Sequence, residues 1–312
     1  MSILISAAAA VIPMFLFLIL IWKFDRYGRE PFKLVLVNYF WGAIGAIILA
    51  LLGSWLISSK VASFVINKPE LNHLETILVA PFVEEITKGI FLFIILSYKR
   101  FENLTEGIVY GGAIGLGFGM TENFLYFIAY SSSLSQWVSI VIIRSLFSGI
   151  IHCIATATFG AFLEFAKFKR LFHKIILTIT GLLLAIFIHS VWNFSVGFQS
   201  KTGLEFVSIF LTLTIFIIIL YLSVRNEKKI IYKELKEEAQ NGLLPFRHLE
   251  ILSSTRRNNF GWVDERIRKS YINATTTLAF RKIGLKNSGN SKKEFFQKEV
   301  DYYRNFIHGL LS

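Results

Sequence analysis

The sequence predicts an all-α protein, a polytopic transmembrane helical bundle of about seven spans that ends in a small cytoplasmic helical tail. Hydrophobic residues make up 54% of the 312 residues and charged residues only 17%, too few for the surface of a soluble domain of this length. Apolar runs of about 20 residues recur, and each can cross a hydrocarbon core about 30 Å thick. The predicted spans are 3–22, 34–57, 78–97, 107–130, 137–163, 174–196 and 204–224.

The first span has the length of a signal peptide but the opposite residue order. Signal peptides place positive residues before the apolar core and small residues after it. Here Ala7 to Ala10 precede the bulky residues, and no Lys or Arg comes before them. We therefore expect residues 3–22 to be retained as a span. The single cysteine, Cys153, lies inside a predicted span and excludes an intrachain disulfide.

The charges of the connecting loops predict the orientation of the bundle. The first, third and fifth loops are rich in Lys and Arg, whereas the second and sixth contain few and the fourth none. Positive residues mark the cytoplasmic side of a membrane protein. We therefore expect a multi-pass protein of the cell inner (plasma) membrane, with the N-terminus outside and the tail from Arg225 in the cytoplasm.

The tail differs in composition from the rest of the chain and predicts a division into a core, 1–224, and a basic tail, 225–312. The tail contains 18 Lys and Arg against 10 Asp and Glu. Residues 226–240 and 291–311 have the patterning of amphipathic helices. Such a tail is expected to lie near anionic lipid of the inner leaflet. No recognition motif for nucleic acid is present, so no nucleic-acid partner is expected.

Charged and polar side chains inside the spans are the strongest functional signal. Glu84 and Glu85 stand in an apolar segment with Lys88 one turn later, although each such charge costs roughly 2.5–3.5 kcal/mol in a bilayer. By residue count, polar residues of three further spans lie at a similar depth in the outer half, and His152 lies about two turns deeper. Those at a similar depth are Glu122, Asn123, Arg144, His189 and Asn193. This coincidence predicts one shared site.

Helical spacing predicts contacts within this set. Lys88 is three residues from Glu85 and four from Glu84, so it can reach either carboxylate. Asn193 follows His189 by four residues and is expected to orient the imidazole. Phe118 and Glu122 share a face in the same way, and Arg144 is expected to act as a counter-ion for Glu122 or Glu84.

Glycines explain how the helices of this site can approach each other. Gly107, Gly111, Gly115 and Gly119 recur every four residues and form a smooth strip on one face of the fourth span. Strips of small residues allow close helix packing in membranes. The strip predicts that Glu122, one turn beyond it, is brought against a neighbouring helix.

The chemistry of the set favours hydrolysis by an activated water. Carboxylates and imidazoles can deprotonate water, and Glu85, Glu122, His152 and His189 could instead hold a metal such as zinc. Neither a GxSxG serine, nor an HExxH motif, nor a suitably partnered cysteine is evident. An ion- or proton-coupled transporter would also place carboxylates near mid-membrane. That alternative, and a non-catalytic scaffold, stay open at this stage.

Four motifs in order along the chain resemble the PrsW family of intramembrane proteases, which is related to CAAX-prenyl proteases and bacteriocin-processing enzymes. The motifs are Glu84-Glu85-x-x-Lys88, Phe118-x-x-x-Glu122 followed by Asn123, His152, and His189-x-x-x-Asn193. The pattern Asp25…Glu30-Pro31 is also similar. The resemblance covers about residues 15–200 and leaves out the basic tail.

The resemblance implies an endopeptidase that cuts a single-span, membrane-anchored protein near the outer leaflet. In the best-known branch of the family the substrate is an anti-sigma factor. Carried over, Glu84 and Glu85 are the catalytic pair, one of them activating water. Glu122 and His189 complete the site, and His152 is a further catalytic or ligand residue. A metal-dependent and a metal-free, glutamate-dependent reaction are both compatible with this resemblance.

Overall fold

The structure, a computed structural model, describes most of the chain. The described residues are 2–25, 27, 31–61, 73–98, 105–130, 132–167, 169–197 and 204–312. Every regular element among them is a helix, which confirms the all-α class. Glu30 of the family pattern and the loop charges Arg26, Arg29, Lys99 and Arg100 lie outside the described residues.

Twelve α-helices are present in the described part of the chain. In order they are α1 (Ile3–Phe24), α2 (Phe32–Phe40), α3 (Ile47–Val61), α4 (Ala80–Tyr98), α5 (Glu106–Ala129), α6 (Leu134–Ile143), α7 (Gly149–Ala166), α8 (Leu171–Gly197), α9 (Leu204–Gln240), α10 (Arg247–Leu252), α11 (Glu265–Asn287) and α12 (Asn290–Leu311). A short 3₁₀ helix, Thr255–Asn258, follows α10.

Three π-helical turns interrupt the helices of the bundle. They are Trp41–Ala46 between α2 and α3, Glu75–Val79 before α4, and Arg144–Ser148 between α6 and α7. π-helical turns are rare in proteins, and those that occur are often found at functional sites. Each of the three contributes a residue that contacts either the polar site described below or a helix that carries residues of that site.

Five helical segments among the described residues are long and apolar enough to cross a membrane, which confirms a polytopic membrane protein. They are Ile3–Lys23, Phe32–Lys60, Leu134–Ala166, Leu171–Val196 and Phe206–Gln240. The other two predicted spans, 78–97 and 107–130, form α4 and α5. Both are more polar, because α4 carries three charges and α5 is rich in glycine. The count of seven spans stays a prediction.

Helix α5 lies at the centre of the bundle and is buried along most of its length. Its glycines allow the backbone of α7 to come close: a Cβ atom on Gly115 would lie 2.2 Å from the carbonyl oxygen of His152, and one on Gly111 would lie 2.4 Å from that of Thr156. On another face a Cβ on Gly117 would lie 1.9 Å from the carbonyl oxygen of Tyr39. No side chain fits at these positions, so the glycine strip sets the spacing of the site, as its periodicity predicts.

The tail has its own apolar core, which includes Leu235, Leu278 and Val300. The helices predicted at 226–240 and 291–311 are present, the first as a continuation of the last span in α9. The predicted boundary at residue 224 therefore falls within a continuous helix. The division into two domains stays a prediction.

The tail contacts the loops that are predicted to be cytoplasmic. The Tyr27 hydroxyl donates a hydrogen bond to the Ser253 carbonyl oxygen (3.1 Å), and the backbone N–H of Thr105 donates to Glu227 (2.9 Å). These contacts place residues of the first loop, the third loop and the tail on one side of the bundle, in agreement with the loop charges. Which side faces the cytoplasm stays a prediction.

The glycine packing makes a first testable prediction. Gly115→Ala should lower the free energy of unfolding by about 1–3 kcal/mol, because the added methyl overpacks the α5–α7 contact. Gly309→Ala is the matched control, since a Cβ there meets no other atom within 4 Å. Thermal unfolding of the purified protein measures both. Equal melting temperatures for the two variants would contradict the packing described.

Candidate active site

A buried lysine organises the polar residues of the bundle. The Lys88 side chain is fully buried, and its Nζ donates to Glu85 Oε1 at 2.5 Å. The same ammonium group lies 3.2 Å from His152 Nδ1 and 4.3 Å from the centroid of the Phe118 ring. All three of its N–H bonds therefore have a partner, as a buried ammonium requires.

Glu85 is held by three groups from three helices. Besides Lys88, its Oε1 accepts from His189 Nδ1 at 2.9 Å, and its Oε2 accepts from Thr156 Oγ1 at 3.0 Å. The carboxylate is buried, and both of its oxygens have partners. Sequence reasoning missed Thr156, although it follows His152 by four residues on α7 and so shares its face.

These contacts assign hydrogen-bonding roles to the two imidazoles. Lys88 can only donate, so His152 accepts at Nδ1 and donates from Nε2 to Glu122 Oε2, 2.6 Å away. His189 donates from Nδ1 to Glu85 Oε1, and its Nε2 lies 3.8 Å from Glu84 Oε2. The two rings are perpendicular, with centroids 4.6 Å apart.

Glu122 is paired with Arg144 as well as with His152. The guanidinium group lies 2.9 Å from Glu122 Oε2, which confirms Glu122 as the counter-ion among the two candidates. Asn123 accepts from Arg144 Nε at 3.0 Å, and the guanidinium stacks 3.7 Å above the Tyr126 ring. Tyr126 follows Glu122 by four residues on α5, a spacing that could have identified it.

Glu84 differs from the other two carboxylates. Its Oε2 is buried and has no hydrogen-bond partner among the described residues, since Lys88 Nζ at 3.9 Å and His189 Nε2 at 3.8 Å are both too far. Lys88 lies 2.5 Å from Glu85 and Arg144 lies 2.9 Å from Glu122, so Glu84 is the most loosely paired of the three carboxylates.

The geometry fits a divalent metal ion at Glu84, His152 and His189. One ligand atom from each of these residues lies within 4.8 Å of the other two. The Glu84 Oε2, which has no hydrogen-bond partner among the described residues, lies 3.8 Å from His189 Nε2, and two imidazoles with one carboxylate form a ligand set that catalytic zinc takes. Both His152 nitrogens are occupied, so this residue would have to give up one contact.

The ligand set differs from the predicted one. Sequence analysis selected Glu85 and Glu122 together with the two histidines. Both of these carboxylates are instead engaged by cations and imidazoles: Glu85 by Lys88 and His189, Glu122 by Arg144 and His152. Glu84 takes their place.

One further expectation about the site is wrong. Asn193 does not orient His189: its side-chain amide donates to the Thr76 carbonyl oxygen at 2.9 Å, and Glu85 orients the imidazole instead. The backbone of His152 packs beside Gly115, about two turns from Glu122 along α5, and its side chain reaches Glu122 and Lys88 from there.

Comparison with known proteins identifies relatives of the bundle. The family described as PrsW family intramembrane metalloprotease matches residues 30–222. A protein named Protease PrsW from Oceanobacillus iheyensis is 31% identical over 142 residues, which are 45% of this chain and 59% of that protein. Its namesake from Clostridioides difficile is 27% identical over 214 residues, 68% of this chain and 85% of that protein. No solved structure matches the chain.

The unequal partners of the two adjacent glutamates make a second testable prediction. Glu85→Gln should lower the free energy of unfolding by about 3–5 kcal/mol, because it leaves the buried Lys88 ammonium with only Glu84, 3.9 Å away, as a counter-charge. Glu84→Gln, the matched control, should change stability much less, because the Glu84 Oε2 has no hydrogen-bond partner among the described residues. Thermal unfolding of both variants in one detergent measures the difference. Equal destabilisation would contradict the assignment of partners.

Proposed function

The chain belongs to the PrsW family of intramembrane metalloproteases, and on that premise we propose that it is an endopeptidase that hydrolyses a peptide bond of a membrane-anchored protein. The observation that carries the proposal is the loosely paired carboxylate of Glu84. Its Oε2 has no hydrogen-bond partner among the described residues and lies 3.8 Å from His189 Nε2, and the side chain is 14% exposed, so this carboxylate is placed to accept a proton from a water.

In the proposed reaction Glu84 accepts a proton from a water molecule as the water oxygen adds to the peptide carbonyl carbon. Uptake of the proton removes the negative charge of Glu84 at the moment when the substrate oxygen becomes negative. Breakage of the C–N bond then returns this proton to the leaving amine, and Glu84 is ionised again. The products are an amine and a carboxylic acid, which releases the second proton of the water to solvent.

The other residues position and balance this base. Glu85 orients His189 and is itself held by Lys88 and Thr156. Arg144, 13% exposed, is the more accessible of the two cations and is the proposed partner of the carbonyl oxygen as it becomes negative. Asn123 and Glu122 orient its guanidinium.

Glu84, His152 and His189 are the residues that would hold a divalent metal such as zinc, which would polarise the substrate carbonyl and acidify a bound water. The family description supports a metal at this site. In that case Glu84 serves as a ligand, and Glu85 and Lys88 remain the groups that orient His189.

For the substrate we propose a single-span protein of the anti-sigma-factor type, cut in the outer half of the bilayer. The family's known branch and the depth of the site support this class of substrate. An ion- or proton-coupled transporter has no specific observation in its favour among the described residues.

The proposal predicts new protein termini whose formation depends on Glu84 and His189. Membrane fractions from cells that express the wild-type chain should contain new termini in or next to single-span segments, and Glu84→Gln or His189→Gln should reduce them by about 100-fold or more. Mass spectrometry of protein termini measures this. Glu294→Gln is the control, because Glu294 is an exposed tail residue that pairs with Lys298.

Cleavage that persists in Glu84→Gln at equal expression would overturn the role of Glu84. Solute uptake into proteoliposomes that needs Glu84, without any new termini, would favour a transporter instead. Elemental analysis of the purified protein distinguishes the two roles of Glu84. About one zinc per chain, lost in His189→Gln, would make Glu84 a metal ligand, while retained cleavage in a zinc-free preparation would leave the glutamate alone as the water-activating group.

A further inference from the structure

The surface where the last span passes into the tail has a distinct composition. One face of α9 carries Tyr221, Arg225, Lys228, Lys229 and Tyr232, at the spacing of residues that lie side by side on a helix. Together with Tyr27 and Val224 they line a cavity of about 550 Å³, here called the basic cavity. Its wall therefore combines three cations with three tyrosines.

The three cations of the basic cavity lack acidic partners. No carboxylate of the described residues lies within ion-pair distance of Arg225, Lys228 or Lys229. Elsewhere in the tail, basic residues do have acidic partners: Lys282, Lys286 and Arg304 all form ion pairs with glutamates of α9. The basic cavity therefore presents positive charge that the protein itself leaves uncompensated.

An apolar cavity of about 360 Å³ adjoins the basic one, and Tyr221 and Val224 line both. The other apolar residues of its wall are Ile21, Ile108, Val109, Ile217 and Leu220. Along α9 the wall changes from Ile217 and Leu220, through the two shared residues, to Arg225 and the lysines. The two cavities are thus arranged as an apolar compartment followed by a cationic one.

The nearby acidic residues are turned away from the basic cavity. Asp25 lies at the polar end of the apolar cavity, where it accepts from the Thr105 hydroxyl at 3.3 Å. Glu227 is fully buried and accepts from the backbone N–H of Thr105. The Arg257 guanidinium lies 4.7 Å from the centre of the Tyr27 ring and offsets the charge of Asp25 and Glu227.

We propose that these two cavities bind one anionic phospholipid, with its phosphate at Arg225, Lys228 and Lys229 and an acyl chain in the apolar cavity. Tyrosines and basic residues at the end of a span are suited to the headgroup level of a bilayer. The adjoining apolar cavity favours a lipid over a soluble phosphate. The lipid contacts α1, α5 and α9, so it joins the tail to the helix that carries Glu122.

This site is more specific than the attraction of a basic tail to an anionic surface. Diffuse attraction depends on the number of positive charges and not on their positions, whereas the proposed site depends on three residues of α9. It is also independent of the proposed peptidase activity, because neither cavity includes a residue of the candidate active site.

Native mass spectrometry of the full-length protein in a neutral detergent tests the proposal. One phosphatidylglycerol per chain should bind in preference to phosphatidylcholine. The triple variant Arg225→Gln, Lys228→Gln, Lys229→Gln should weaken binding by about tenfold or more, since each surface charge contributes roughly a fivefold factor. The control Lys233→Gln, Lys236→Gln, Lys269→Gln removes three exposed tail lysines and should change binding less than about twofold.

Equal weakening by the two triple variants would overturn the site and leave diffuse attraction. Displacement of the lipid by inorganic phosphate would assign the cations to a soluble anion instead. A second variant, Val224→Trp, fills the wall shared by the two cavities without changing charge, and it should weaken phosphatidylglycerol binding while the melting temperature stays within about 2 °C of the wild type. Unchanged binding in this variant would contradict a bound acyl chain.

Discussion

The ion pair between Lys88 and Glu85 is the interaction on which the arrangement of the site depends. Both side chains are almost completely buried, so neither charge is tolerable without the other. Because Lys88 also approaches His152, and Glu85 also accepts from His189, this one pair orients both imidazoles. The contacts that remain for Glu84 are too long for hydrogen bonds, so the position of this pair decides which glutamate is left without a hydrogen-bonded partner.

Such a cluster requires that the backbones of neighbouring helices lie close together. The glycines of α5 bring α7 close enough for His152 to reach both Lys88 on α4 and Glu122 on α5. Four helices therefore contribute charged or polar groups to one compact volume that the surrounding apolar residues shield. In that environment each ionic contact is stronger than in water, so the longer contacts of Glu84 distinguish it from Glu85 and Glu122.

The sequence was sufficient for the class of protein, the glycine contact and the membership of most site residues, because these depend on composition and on helical spacing alone. The sequence alone could not show that Lys88 pairs more closely with Glu85 than with Glu84. Both helical spacings permit the contact, and the rotation of α4 in the bundle decides between them. The contact of Asn193 with Thr76 depends on how a neighbouring π-helical turn packs. Helix α11 was missed because its buried face includes Thr275, Arg281 and Lys282, which give no amphipathic pattern.

A double-mutant cycle on Glu85 and Lys88 tests the central claim most directly. The free energy of unfolding would be measured for the wild type, Glu85→Gln, Lys88→Met and the variant that carries both changes. The account predicts that the double variant recovers most of the stability lost in either single variant, with a coupling of about 2 kcal/mol or more, because it leaves neither charge buried alone. Losses that simply add would contradict the claim that this ion pair organises the site.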